Sequence, residues 1–486
     1  MPRVEPRRWT WIPLLGFLLT SGEASAQAGG PDPGSRRLDA DPPLPAGDAP
    51  RPRPDYAGRP AGPSSTPSPF LWIPRVILFP AYLVSEFVIR RPLGALLTLL
   101  EEYHLRARWN DFFTFGPERE IGLFPSARID LGLHARVGLH LFWHNIVPDN
   151  DLSLRGVFGG VGVWSVNGGW ISTFEQRRRL QASLHWSRRN DAPFFGFGPQ
   201  SGDVAFRFGE DRLDSSLRYV HPLGRVSHFT AQLGQRRVWY DSGSSALGDD
   251  SLAEGIGAGA VAPPPALHDG FWVLYAGMIL GLDSRPPPLT PRTGSERDFA
   301  LQSGSGVAWT GHIEHDAGLK GTRALPEDEL RLPEWLDYGT SLTGTLDLTG
   351  MRRELELELD ARFTDPLLAG GVPFTEQASL GGAHPLRGFV ERRLVDRSAV
   401  AATLRYRWPI WQSLEGELHY AIGNVFGEHL LGFDPALLRA SFGVGINTVG
   451  PSHEPFEMLI AFGTRTLESG GGVESIRFVF GSSVGL

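Results

Sequence analysis

From about residue 119 onward, apolar and polar side chains alternate one by one. The plainest stretch is Glu354-Leu355-Glu356-Leu357-Glu358-Leu359-Asp360-Ala361-Arg362-Phe363, charged at every even position and apolar at every odd one. A helix would scatter those charges around its circumference, whereas a strand gathers them on one face. Leu404, Tyr406 and Trp408 alternate with Thr403, Arg405 and Arg407, and Leu418, Tyr420 and Ile422 with Glu417, His419 and Ala421. Val137, Leu139, Leu141 and Trp143 share a face opposite Gly138, His140, Phe142 and His144. One such strand in water is an ordinary solvated edge. Repeated strands, apolar outside and largely polar inside, suit a barrel whose outer wall meets lipid.

The pattern predicts sixteen strands, near 121–131, 136–146, 151–159, 161–173, 179–188, 203–220, 228–240, 270–282, 296–314, 337–348, 353–363, 399–408, 414–422, 437–447, 456–463 and 474–482. Connections at 241–269, 315–336, 364–398 and 423–436 are long, while those at 221–227, 349–352, 409–413 and 448–455 are short. Barrels of bacterial outer membranes have short periplasmic turns and longer outer loops, and an even strand number puts both ends on the periplasmic side. Closure is a physical requirement, because lipid cannot satisfy the open edge of a sheet.

At 486 residues the chain exceeds one ordinary soluble domain, yet a large barrel uses most of that length. It holds 60 Gly, 14 Trp and 29 Phe, which suits tight turns and interfacial aromatic girdles, although a loop-rich soluble β protein has the same composition. Cysteine is absent, so thiolate chemistry and disulfides are unavailable. The formal charge of -8 argues against a general nucleic-acid binder.

Residues 1–26 read as a signal peptide, with Arg3, Arg7 and Arg8, a short apolar core from Trp9 to Leu19, and Ala24-Ser25-Ala26 as the cleavage site. Residues 27–69 form a Pro/Gly-rich linker too poor in apolar side chains to fold. The segment 70–118 is broken by Pro74, Pro80 and Pro92 and reads as short amphipathic periplasmic helices, with an extended leader docked on the barrel as the alternative. The barrel itself spans 119–486.

The longest connection carries Leu386-Arg387-Gly388-Phe389 between the eleventh and twelfth predicted strands. Asp283-Ser284-Arg285 is followed by Pro291 and Gly294, and Phe194-Phe195-Gly196-Phe197-Gly198 and Tyr420-Ala421-Ile422-Gly423-Asn424-Val425-Phe426 complete the set. In their order along the chain the four stretches resemble the motifs of the BamA/TamA-like bacterial surface-antigen barrels, in which the Asp283–Gly294 stretch would mark a periplasmic turn. The resemblance implies a sixteen-stranded outer-membrane barrel with the loop between strands 11 and 12 folded into its lumen.

Two departures stand out. The family acids that pair with the loop arginine correspond here to Ala421 and Arg405. Glu417 shares the inward parity of Ala421, and Glu356, Glu358 and Asp360 line the adjacent inner face, so Arg387 is expected to pair with one or more of these; solvation in a watery lumen is the alternative. Residues 27–118 also leave no room for a POTRA module.

No phosphate loop or nucleophile-base set appears, and His312-Ile313-Glu314-His315 lacks a third ligand, so neither an enzyme nor a metal or other cofactor is expected. The resemblance implies assistance in inserting or translocating proteins or lipids at the outer membrane. Its partners would be outer-membrane lipids, unfolded outer-membrane clients and a separate periplasmic delivery factor. The rival reading is a structural or receptor barrel of the same fold.

Overall fold

The computed structural model describes residues 105–224, 226–286, 304–348, 352–383, 385–411, 414–448 and 455–482. The expected signal peptide, the linker, residues 70–104, Pro291 and Gly294 lie outside the described residues.

Period-two patterning becomes one antiparallel wall of sixteen strands. They are β1 (Ile121–Asp130), β2 (Arg136–Val147), β3 (Asn150–Phe158), β4 (Trp164–Thr173), β5 (Arg179–Phe194), β6 (Phe206–Pro222), β7 (His228–Asp241) and β8 (Phe271–Asp283). They continue with β9 (Gly306–Lys320), β10 (Glu334–Asp347), β11 (Glu354–Pro366), β12 (Ser398–Trp411), β13 (Leu414–Phe426), β14 (Arg439–Thr448), β15 (Phe456–Thr466) and β16 (Val473–Ser482). Each pairs with the next, and β16 returns to β1, which closes the barrel. Among the described residues no helix is long and apolar enough to cross a membrane.

Alternation sorts the wall as expected. On β11, Glu354 and Glu356 are buried inside while Leu357 and Leu359 are about half exposed outside. On β2, His140 and Phe142 are buried, and Val137 and Leu139 face out.

Two strands overrun their sequence-based C-terminal limits by six residues. β5 was expected to stop at 188 but runs to Phe194, because a bulge between Arg189 and Ala192 shifts the register and breaks the alternation that would have signalled it. β9 runs past 314 to Lys320. His312 and His315 lie within it and bond to Asp337 (3.0 Å) and Glu334 (2.9 Å) on β10.

The outer half of the lumen is plugged by an apolar core. Phe194, Phe208, Tyr240, Phe271 and Trp335 from the wall meet Leu252 and Leu267 of the 242–270 loop and Phe374 of the 367–397 loop. A short helix, Leu252–Gly257, helps fill the mouth. Ser251 caps it, and its hydrogen bonds hold the Glu254 carboxyl below the usual range. Toward the periplasm, the helix Leu105–Phe113 precedes β1, and Phe113 rests 5.6 Å from the Phe124 ring.

Among the described residues, the ladder from β16 to β1 is the shortest. It comprises Val479↔Asp130, Phe480↔Ile129 and Gly481↔Arg128, whereas the other ladders along the wall run from eight pairs to fourteen. Gly481 (φ +129°) sits in this seam, and a Cβ there would lie 2.0 Å from the Ala127 carbonyl oxygen. Gly481→Val is therefore expected to speed amide exchange at 128–131 and 479–481 while leaving the remaining ladders unchanged. Hydrogen exchange by mass spectrometry reads this directly, and wild-type protection at the seam would refute it.

Candidate functional site

The 367–397 connection folds into the barrel and is stiffened by its own two-stranded hairpin, Ala378–Leu380 with Leu394–Asp396. Leu386 and Phe389 are fully buried against Leu380, Leu394, Ala401, Ala421 and Val425. Ala421, where the resemblance places an acid, thus lines the apolar cradle of the loop.

Arg387 donates to two carboxylates, Glu417 on β13 and Glu457 on β15. All three side chains are at most a tenth exposed, so the pairing is little screened. The structure brings Glu417 to Arg387 but does not bring the other three expected partners. Glu356 and Glu358 are taken by Arg405 (2.7 and 3.3 Å) and Glu356 also by Arg407 (2.7 Å), both on the adjacent β12. Arg405 faces Glu356 directly in the ladder, so the residue that replaces a family acid recruits those carboxylates across the strands. Asp360 is likewise not among the groups on Arg387; it stands opposite Ser341 and Ala401 in the wall.

Glu457 is the partner the sequence reading missed. It is the one carboxylate on β15 and lies on the inward parity with Leu459 and Ala461. A lone inward charge on an apolar strand is itself a signal that a partner waits inside.

Gly388 joins the tip to the wall through its backbone. Its N–H donates to Ser441 Oγ (2.7 Å) and its carbonyl accepts from Ser475 Oγ (2.8 Å). The next charged run was also unread in the sequence. Glu391 pairs with Arg189 on β5 (2.9 Å), Arg392 with Glu210 on β6 (3.5 Å) and Arg393 with Glu474 on β16 (2.8 Å). Three consecutive loop residues so tie opposite sides of the lumen together. The Phe194–Gly198 stretch docks on the same loop: Arg393 lies over the Phe195 ring at 4.5 Å, and Gly198 N–H donates to the Val395 carbonyl (3.0 Å).

Directly after β8, Arg285 grips Asp283 through its side chain (2.7 Å) and backbone N–H (2.9 Å). This pair is remote in sequence and element from the lumen loop.

Beyond the loop tip lies a second concentration of charge. Arg236 on β7 donates to Asp214, Glu314, Asp316 and Glu376 at 2.9–3.2 Å. Glu376 belongs to the inward loop, so this guanidinium anchors the stem of the loop as Glu417 and Glu457 anchor its tip.

With this geometry in place, residues 171–484 match the model of the Omp85 superfamily domain. Among solved structures, BamA from Haemophilus ducreyi lacking POTRA domains 1-3 aligns with 14% identity and a TM-score of 0.49, covering 75% of this chain and 70% of that one. CdiB from Acinetobacter baumannii aligns with 11% identity and a TM-score of 0.44, covering 74% of this chain and 59% of that one. No curated protein matches the sequence.

Proposed function

The chain belongs to the Omp85 superfamily and is a bacterial outer-membrane β-barrel, and from that premise we propose that it assists the insertion or translocation of proteins, or lipids, at the outer membrane. The single observation that carries this reading is the β1–β16 seam, held among the described residues by three residue pairs in a wall whose other ladders are far longer. A seam of that kind can part where the rest of the barrel cannot. The exposed backbone edge then offers a template on which an incoming strand adds by main-chain hydrogen bonds. The lumen loop keeps the wall in shape while the seam works. Outer-membrane clients would reach the seam with the help of a separate periplasmic factor or of the 70–118 segment.

The rival, a structural or receptor barrel, would act through long outer loops. The two longest, 242–270 and 367–397, give Leu252, Leu267, Val372 and Phe374 to the lumen plug, which supports the insertion reading over it.

Reconstitution in phospholipid liposomes tests the proposal. Folding of an unfolded outer-membrane client is expected to run faster than in empty liposomes, and a disulfide locking β1 to β16 is expected to remove the acceleration. Equal rates with and without the protein would overturn it.

A further inference from the structure

The two strands at the seam are not held alike. β16 is tied to the inward loop at three levels: Glu474 to Arg393 (2.8 Å), Ser475 to the Gly388 carbonyl (2.8 Å), and Arg477 to the carbonyls of Gly382 (2.5 Å) and Arg387 (3.2 Å). β1 has the short ladder and two ion pairs: Asp130 with Arg477, bidentate at 2.8 and 2.5 Å, and Arg128 with Glu457 at 3.2 Å. Arg128 also donates to the Ser482 carbonyl at 2.7 Å. When the seam parts, β16 stays with the loop and β1 supplies the freed edge.

That edge carries a lumen-facing carboxylate, Asp130, only 7% exposed. Its bidentate partner in the closed barrel, Arg477, remains behind with the loop. A buried carboxylate stripped of its guanidinium is strongly unfavourable, so a strand that replaces β16 fits best if it brings a cation of its own. Arg128 lies 3.7 Å from Asp130 on the same face and offsets part of that deficit.

We propose that Asp130 is a specificity-determining residue, which selects incoming β-strands that carry a basic side chain at the lumen-facing position now filled by Arg477. The proposal rests on the insertion reading above and names its substrate class: a strand with outward apolar residues, as Ile476 and Phe480 are in β16, and an inward Arg or Lys between them.

The test uses the full chain in liposomes of phosphatidylethanolamine and phosphatidylglycerol, with photo-crosslinking peptides of sequence 473–482. One keeps Arg477; the others carry R477Q or R477E. Capture of the Arg peptide is expected to exceed that of the R477E peptide by about tenfold, with crosslinks on 127–131. Asp130→Asn, which keeps the shape, is expected to abolish the preference, and Asp130→Arg to invert it. Equal capture of all three, no capture of any, or a preference that survives Asp130→Asn each overturns the inference. Client folding measured in the same liposomes separates the two claims. Accelerated folding with equal peptide capture defeats the selector alone, and charge-dependent capture without acceleration defeats the insertion reading alone.

Discussion

Replacing Arg387 with Ala is expected to release the lumen loop and to destabilise the barrel by about 3–5 kcal/mol, the range found when one partner of a buried ion pair is removed. The substitution leaves Glu417 on β13 and Glu457 on β15, two strands apart on the same side of the lumen, without the cation that joins them. Both are buried, and Glu457 keeps the Arg128 guanidinium at 3.2 Å. Arg387→Lys is expected to lose less, because it keeps the charge, yet a single ammonium lacks the planar fork that reaches two carboxylates on different strands. The triple change Arg387→Met with Glu417→Gln and Glu457→Gln is expected to recover most of the loss, since it removes the buried charges together. Thermal unfolding by the gel shift between folded and unfolded barrel ranks the variants, and amide exchange over 378–396 reports the loop. An Ala variant as stable as the wild type, with the loop still protected, would show that the ion triad contributes nothing.

The barrel was legible because its alternation is locally encoded. Each strand announces its own inward and outward faces, and sixteen strands emerge close to their expected places. What escaped was non-local. Arg405 took Glu356 and Glu358 because the ladder sets them side by side, and register between β11 and β12 is not written in either strand alone. The tie from Arg393 to Glu474 spans 81 residues and Arg387 to Glu457 spans 70. Neither appears until the wall curves round to bring β15 and β16 beside the loop. The bulge in β5 hid six residues of strand for a similar reason, since an inserted residue reverses the parity on which the reading depends.

The lumen also divides in a way the sequence did not suggest. The larger apolar cluster fills the outer mouth, and below it ion pairs gather beside the smaller apolar cradle of the loop tip. The inward loop belongs to both layers, with Phe374 in the plug and Arg387 in the charged layer. A loop fixed at two depths resists tilting as well as withdrawal. The loop is also a fixed reference beside the seam, because β13 to β16 all touch its tip.

Gly388→Val is expected to be the most disruptive single change in the loop, because it strikes the backbone of the wall. A Cβ at 388 would lie 2.2 Å from the carbonyl carbon and oxygen of Phe462 and 2.6 Å from Gly463 N. No rotamer change relieves such an overlap. The β15 backbone cannot retreat, since Gly463 is paired with Ser441 on one side and Ser475 on the other. The fit is reciprocal: a Cβ on Gly463 would meet the Phe389 ring at 2.5 Å. With the tip expelled, Leu386 and Phe389 leave their cradle, at about 1.5–3 kcal/mol for each side chain. The Arg387 pairs and both Gly388 backbone bonds go with them. Amide exchange over 378–396 is expected to rise to loop-like rates, more than for Arg387→Ala, which leaves the apolar contacts in place. Gly344→Ala on β10, where a Cβ meets nothing within 4 Å, serves as the control and is expected to stay within about 0.5 kcal/mol of wild type. A Gly388→Val protein whose loop keeps wild-type protection would mean that the tip does not touch β15 as closely as Phe462 and Gly463 require.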